Sequence, residues 1–237
     1  MKPTDPDPHV CPANKIAHQA TDALVLGPYL SEIARDPAVM AGQHPIRAWE
    51  YAMALRTLRR WTVQTDPAAP LGIADIGGAG SGFWRLLTAR TPAPIAIIDP
   101  TAAPTHETNG QEIVWKWDVE SFAREFDPES PKFDVITCIS VIEHVPDVLP
   151  FIRALHTLLR PGGLLLLTTD YWDADGPDVA HFHWMRERIY NKPLAQQLLA
   201  LLKREGFERF GGTNWTYRGP QVYDYSVLAL ALTKEDR

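Results

Sequence analysis

From residue 71 onward the chain alternates between two hydrophobic periods. Short apolar runs at 71–76, 94–98, 133–140 and 164–169, and an alternating run at 112–117, read as strands. Between and after them lie stretches with helical spacing at 83–87, 119–126, 148–159 and 194–203. Phe151, Ala154, Leu155 and Leu158 share one face, as do Leu194, Leu198, Leu201 and Leu202. Continuous apolar strands joined by helices predict a parallel sheet covered on both sides. The runs at 207–210 and 225–232 read as two last strands.

The first 66 residues follow a different pattern. Residues 1–13 are rich in Pro and Asp and are expected to be disordered. Residues 14–40 predict one or two short helices, broken at Gly27-Pro28 and Asp36-Pro37. Residues 46–63 form a better helix, with Ala48, Tyr51, Leu55 and Leu58 toward the core. Trp49 is read as core, with covering a cofactor as the alternative. The expected division is a tail and helical extension over 1–66 and a core domain over 67–237.

The chain is organised around 71–82, where a strand ends in Asp75-Ile76-Gly77-Gly78-Ala79-Gly80-Ser81-Gly82 and a helix follows. Glycines let the backbone turn sharply and a ligand approach closely. In an open parallel sheet such a loop lies at the carboxyl ends of the strands, where ligands bind. The second strand ends in Asp99. A carboxylate there can accept from both hydroxyls of a ribose, at about 1.5–3 kcal/mol for each charge-assisted bond, and would repel a 2′-phosphate.

The stretches IADIGGAGSG, IAIIDP, WDVE, FDVITCISVIEHVPD and LLRPGGLLLLTTD occur in this order over about 71–170. In these the chain resembles the class I S-adenosylmethionine-dependent methyltransferases. The loop departs from the family pattern, with Ala79 and Ser81 at the later glycine positions. The resemblance implies a Rossmann-like, seven-stranded, mostly parallel sheet with an antiparallel C-terminal hairpin and S-adenosylmethionine as cofactor. It implies that Asp75, Gly77, Gly78, Ala79, Gly80, Asp99 and Pro100 contact the cofactor. Asp118 is implied at the adenine amino group, Val119 beside the ring, and the Ser140 backbone facing the methionine part. Asp118 is equally placed to cap the next helix.

Composition narrows the partners. The net charge is −6, and Arg56, Arg59 and Arg60 form the one basic cluster, read as a solvated helix face. Nucleic acid is therefore not expected as a partner. Cys11 and Cys138 are too unlike in setting to suggest a disulfide, and no segment reads as a signal peptide or membrane span, so a cytoplasmic location is expected. A small organic or lipid-like acceptor fits the aromatic segments best.

Methyl transfer needs positioning, and a base where the acceptor carries a proton. The candidates are His144, Asp170, His181 and His183, with proximity alone as the alternative. His181 and His183 would share a face of an extended segment. A metal would need a third ligand from Asp170, Asp173 or Asp178, and the spacing matches no strong signature, so no metal is expected. Two other readings stay open: a cofactor-binding module of this fold without activity, and an NAD-dependent oxidoreductase using Gly77, Ala79 and Gly82 as an imperfect G-x-G-x-x-G.

Overall fold

The computed structural model describes residues 14–17, 19–68, 70–103, 106–108, 110–127, 132–172, 189–214 and 226–235. Its centre is a run of parallel strands: β2 (Ile73–Ile76), β3 (Ile95–Ile98), β5 (Glu112–Trp115), β6 (Phe133–Ile139) and β7 (Leu159–Tyr171). The remaining strands are β1 (Asn14–Ile16), β4 (His106–Thr108), β8 (Phe207–Arg209), β9 (Thr213–Asn214) and β10 (Ser226–Lys234). The spatial order is β4-β5-β3-β2-β6-β7-β10-β1-β9, with β8 also on β10. β10 runs antiparallel to both β7 and β8. The seven strands β5, β3, β2, β6, β7, β10 and β8 are the expected sheet with its C-terminal hairpin. β1, β4 and β9 are short additions at its two edges.

The chain leaves β2 toward β3 and β5 on one side, then returns to β6 and β7 on the other. The crevice beyond the carboxyl ends of β2 and β6 is thus the switch point, where a ligand can sit between diverging loops.

Helices cover both faces. One carries α1 (Gln19–Ala34), α2 (Arg47–Thr65) and α3 (Phe83–Thr88); the other carries α4 (Val119–Glu125), α5 (Val148–Leu158) and α6 (Lys192–Arg204). Strand residues alternate between the two cores. Ile73, Val135, Leu164 and Leu166 join the first, and Ala74, Ile136, Cys138, Leu165 and Leu167 the second. Both faces are apolar, which is why these strands read as unbroken hydrophobic runs.

The N-terminal part departs from expectation. No break occurs at Gly27-Pro28, because α1 runs through Pro28. An interior proline costs about 3 kcal/mol in a helix; here burial of Val25, Leu26 and Ile33 offsets it. A strand, β1, precedes α1 and adds to the β10 edge. α2 is buried nearly all round from Trp49 to Leu58, since α1 lies on its outer side and the sheet on its inner side. Arg56 is fully buried, so it does not belong to a solvated face, whereas Arg59 is exposed as expected.

Lys15, Asp22 and Trp49 tie β1, α1 and α2 together. Buried Asp22 pairs with Lys15 and accepts from Trp49 Nε1 at 2.8 Å. Trp49 therefore serves as core and anchor. Trp49→Phe is expected to cost about 1.5–3 kcal/mol in urea unfolding, the scale of one hydrogen bond to a charged group, with cofactor affinity unchanged in calorimetry.

Candidate active site

The glycine loop is shaped by what it cannot hold. Gly77 has φ +72°, and a Cβ there would lie 2.5 Å from Val141 Cγ2. A Cβ on Gly78 would lie 2.3 Å from Asp75 Oδ2. The family departures fit this path. Ala79 N donates to Asp99 Oδ2 at 3.1 Å, and Ser81 Oγ accepts from Phe83 N at 3.3 Å. The Ala79 amide and the Ser81 hydroxyl are each bonded locally, so the loop stays tight.

α2 and the segment before it form the opposite wall. Gln43 Nε2 donates to Gly80 O at 2.7 Å. Tyr51 stacks on Phe83 with ring centroids 4.6 Å apart and is hydrogen-bonded to Ser81. Burial, then the charge of Asp75, pushes its phenol well above the ordinary range. With Arg47, Asp75, Gly77, Gly78, Ile139 and Ser140 these residues enclose a cleft of about 210 Å³.

A second, more open cleft of about 410 Å³ lies between Pro100, Trp117, Asp118 and Ser121. Asp118 caps α4, accepting from Ser121 N at 2.6 Å and Ser121 Oγ at 3.0 Å. These bonds hold its carboxyl below the usual range. Asp99 lies at the tip of β3. Its Oδ1 accepts from Thr101 N at 2.8 Å and Thr101 Oγ1 at 2.7 Å. The Val119 side chain is packed in the second core.

Under the first cleft the site is acidic. Asp75 is buried; Thr137 Oγ1 donates to its Oδ1 at 2.7 Å, while Oδ2 has no hydrogen-bond partner among the described residues. Burial, with the nearby charge of Asp99, pushes it up to about 7. Glu143, on the short 3₁₀ turn Ile142–His144, is also buried and accepts from Thr169 Oγ1 at 3.1 Å. Burial first, then the charge of Asp170, pushes Glu143 up to about 8. Burial alone would lower the Arg47 guanidinium, but Glu50, Glu143 and Asp170 hold it above its ordinary value.

The raised acids set a pH dependence. Glu143 binds its proton more tightly folded than unfolded. Its contribution to stability is complete below about 4.5 and is lost as pH rises through about 8. Over that window this one group lowers the unfolding free energy by roughly 3–5 kcal/mol. Asp75 acts in the same direction between about 3.8 and about 7. Glu143→Gln is expected to flatten the decline in urea unfolding measured at pH 5.5, 7 and 8.5. It should raise stability most at pH 8.5 and leave the share due to Asp75.

The structure brings Asp75, Gly77, Gly78, Gly80 and Ser140 to one cleft, ties Ala79 to Asp99, and places Pro100 and Asp118 together in the neighbouring one. Asp170 is buried at the end of β7. His144 is exposed, while its neighbour Glu143 turns inward. His181 and His183, with Asp173 and Asp178, lie outside the described residues. Gln43, Arg47 and Tyr51 were not singled out as site residues by the sequence. The available signal was the place of Arg47 and Tyr51 on the helix that precedes the glycine loop, with Gln43 just before it.

Residues 49–209, more than half of the chain, match the family described as a methyltransferase domain. The chain belongs to this methyltransferase family. Its donor is S-adenosylmethionine, and membership removes the nicotinamide reading. A ubiquinone biosynthesis O-methyltransferase of Actinobacillus pleuropneumoniae is 36% identical over 105 residues, covering 41% of this chain and 44% of that protein. The matches thus span about half the length of these O-methyltransferases.

Two solved structures share the fold. The N-methyltransferase NodS of Bradyrhizobium japonicum, crystallised with S-adenosylhomocysteine, is 16% identical with TM-score 0.53, covering 88% of this chain and 96% of its own. The 1,6-didemethyltoxoflavin-N1-methyltransferase of Burkholderia thailandensis is 17% identical with TM-score 0.57, covering 93% and 91%.

The donor fits the residues present. Asp75 Oδ2 faces the backbone of a loop in which a side chain at Gly78 has no room. Arg47 lines the same cleft and suits an anionic group.

Proposed function

We propose that the chain transfers a methyl group from S-adenosylmethionine to a small organic or lipid-like acceptor. The observation that carries this reading is the first cleft, at the switch point, with Asp99 at the tip of the adjoining strand. Asp99 is assigned to the ribose hydroxyls, Arg47 to the carboxylate of the methionine part, and Pro100, Asp118 and the Val119 backbone to the adenine side. Ser140 borders the methionine part. When bound, the sulfonium supplies an already activated methyl group, so the chain's work is to bind, orient and exclude water.

On the acceptor side, Asp170 and Glu143 are, after Glu50, the acids whose charge reaches Arg47, and burial keeps the proton on Glu143 up to about 8, so Glu143 can act as a base only above that pH. His144 is exposed, and it remains a candidate with His181 and His183, which lie outside the described residues. The name of the ubiquinone-biosynthesis O-methyltransferases supports a hydroxyl oxygen as the first acceptor class to try.

Calorimetry with S-adenosylmethionine and S-adenosylhomocysteine, with NAD as control, tests the donor. Micromolar binding of the two sulfur compounds and none of NAD is expected. Methyl transfer from labelled donor to phenols, catechols and prenylated quinols then tests the acceptor. Failure of both sulfur compounds to bind overturns the reading, and tight binding without turnover on any of these acceptors favours a binding module.

A further inference from the structure

Glu50 is an acid in the first turn of α2, fully buried, where an uncompensated charge is strongly disfavoured. Its partners come from three elements. Arg47 Nη1, one helical turn back, donates to Oε2 at 2.7 Å. Ser140 Oγ, at the tip of β6, donates to Oε1 at 2.7 Å. Thr168 Oγ1, on β7, donates to the same oxygen. Thr168 Oγ1 in turn accepts from Ser140 N at 3.0 Å. Glu50, Ser140 and Thr168 thus close a ring of hydrogen bonds beneath the cleft.

Ser140 needs that ring. Its φ is +49°, a left-handed conformation that a residue with a side chain seldom adopts. The ring supplies a bond to its hydroxyl and one to its amide. Both ends of the network, Arg47 and Ser140, line the first cleft, whereas Glu50 lies behind them.

We infer that Glu50 is the positioning residue of the donor cleft: its one carboxylate aims the Arg47 guanidinium and holds the Ser140 turn in register with it. The inference rests on the donor reading above, and it adds a residue that reaches the ligand only through two others.

The test uses the full chain and S-adenosylhomocysteine, with calorimetry for affinity and thermal unfolding for the folded fraction. Glu50→Gln is expected to weaken binding about tenfold in protein that remains folded, the scale of a lost charge-assisted bond. Glycine adopts a positive φ without strain, so the double variant Glu50→Gln/Ser140→Gly is expected to recover about threefold of that loss. By the same reasoning Ser140→Gly should bind at least threefold tighter than Ser140→Ala, a comparison that stands even where Glu50→Gln does not fold.

A merely structural Glu50 would lower thermal stability without any rescue of affinity by glycine. Wild-type affinity in folded Glu50→Gln, or equal affinity of Ser140→Gly and Ser140→Ala, overturns the inference while leaving the donor reading intact. Failure of the unaltered protein to bind S-adenosylhomocysteine removes both.

Discussion

Asp99→Ala is expected to weaken S-adenosylhomocysteine binding by about 100-fold or more. Two charge-assisted bonds to a ribose, at about 1.5–3 kcal/mol each, exceed the 2.8 kcal/mol that a 100-fold loss represents. The variant also removes an internal acceptor from Ala79 N, Thr101 N and Thr101 Oγ1. Ala79 and Thr101 are exposed, so their donors can turn to water and the stability cost is on the order of 1 kcal/mol; affinity is compared in protein shown to be folded by circular dichroism.

The bonds within the protein sharpen this prediction. A carboxylate offers about four lone-pair positions, and three of those on Asp99 are occupied: two on Oδ1 and one on Oδ2. A ribose diol needs two. The Thr101 hydroxyl therefore has to rotate away when the ribose binds, while the Thr101 amide stays. Thr101→Val removes that competitor and keeps the amide bond, and it is expected to tighten binding about threefold, the scale of part of one hydrogen bond. Unchanged affinity in Asp99→Ala would remove Asp99 from the donor site.

What was legible in the sequence was local. The strand–loop–helix at 71–88 announced itself because apolar period, glycine cluster and helical spacing fall in consecutive residues, and Asp99 because it ends the next apolar run. The edge strands β1, β4 and β9 were not legible, since two or three residues carry no period. The continuity of α1 through Pro28 depends on packing against α2, which local propensity does not contain. Arg56 reads as surface by composition and is buried because α1 covers the outer side of α2. The Glu50 ring was hidden for the same reason: its partners Ser140 and Thr168 are 90 and 118 residues away. Glu143 was passed over beside His144, because which of two adjacent residues turns inward depends on the short turn after Ser140.

Arg47 is where stability and ligand binding meet. Its guanidinium bonds Glu50 and faces the charges of Glu143 and Asp170, and it is the cation among three buried acids. Removing one partner from such a cluster leaves buried charge uncompensated, typically at about 3–5 kcal/mol. Arg47→Met, which keeps the apolar stem, is therefore expected to lose that much unfolding free energy in urea at pH 8.5. The loss should shrink at pH 5.5. Glu143 holds its proton up to about 8 even with Arg47 present, and without the cation its affinity for the proton rises further. At pH 5.5 it is neutral in the variant and wild type alike, so less charge is stranded; at pH 8.5 the wild type ionises it beside Arg47 and the variant cannot do so cheaply. The double variant Arg47→Met/Glu143→Gln should recover part of the deficit at pH 8.5 and little at pH 5.5, a non-additivity expected only of groups that interact directly. Purely additive effects at both pH values would mean that Arg47 and Glu143 do not share a field, and that Arg47 is held in the cleft by Glu50 alone.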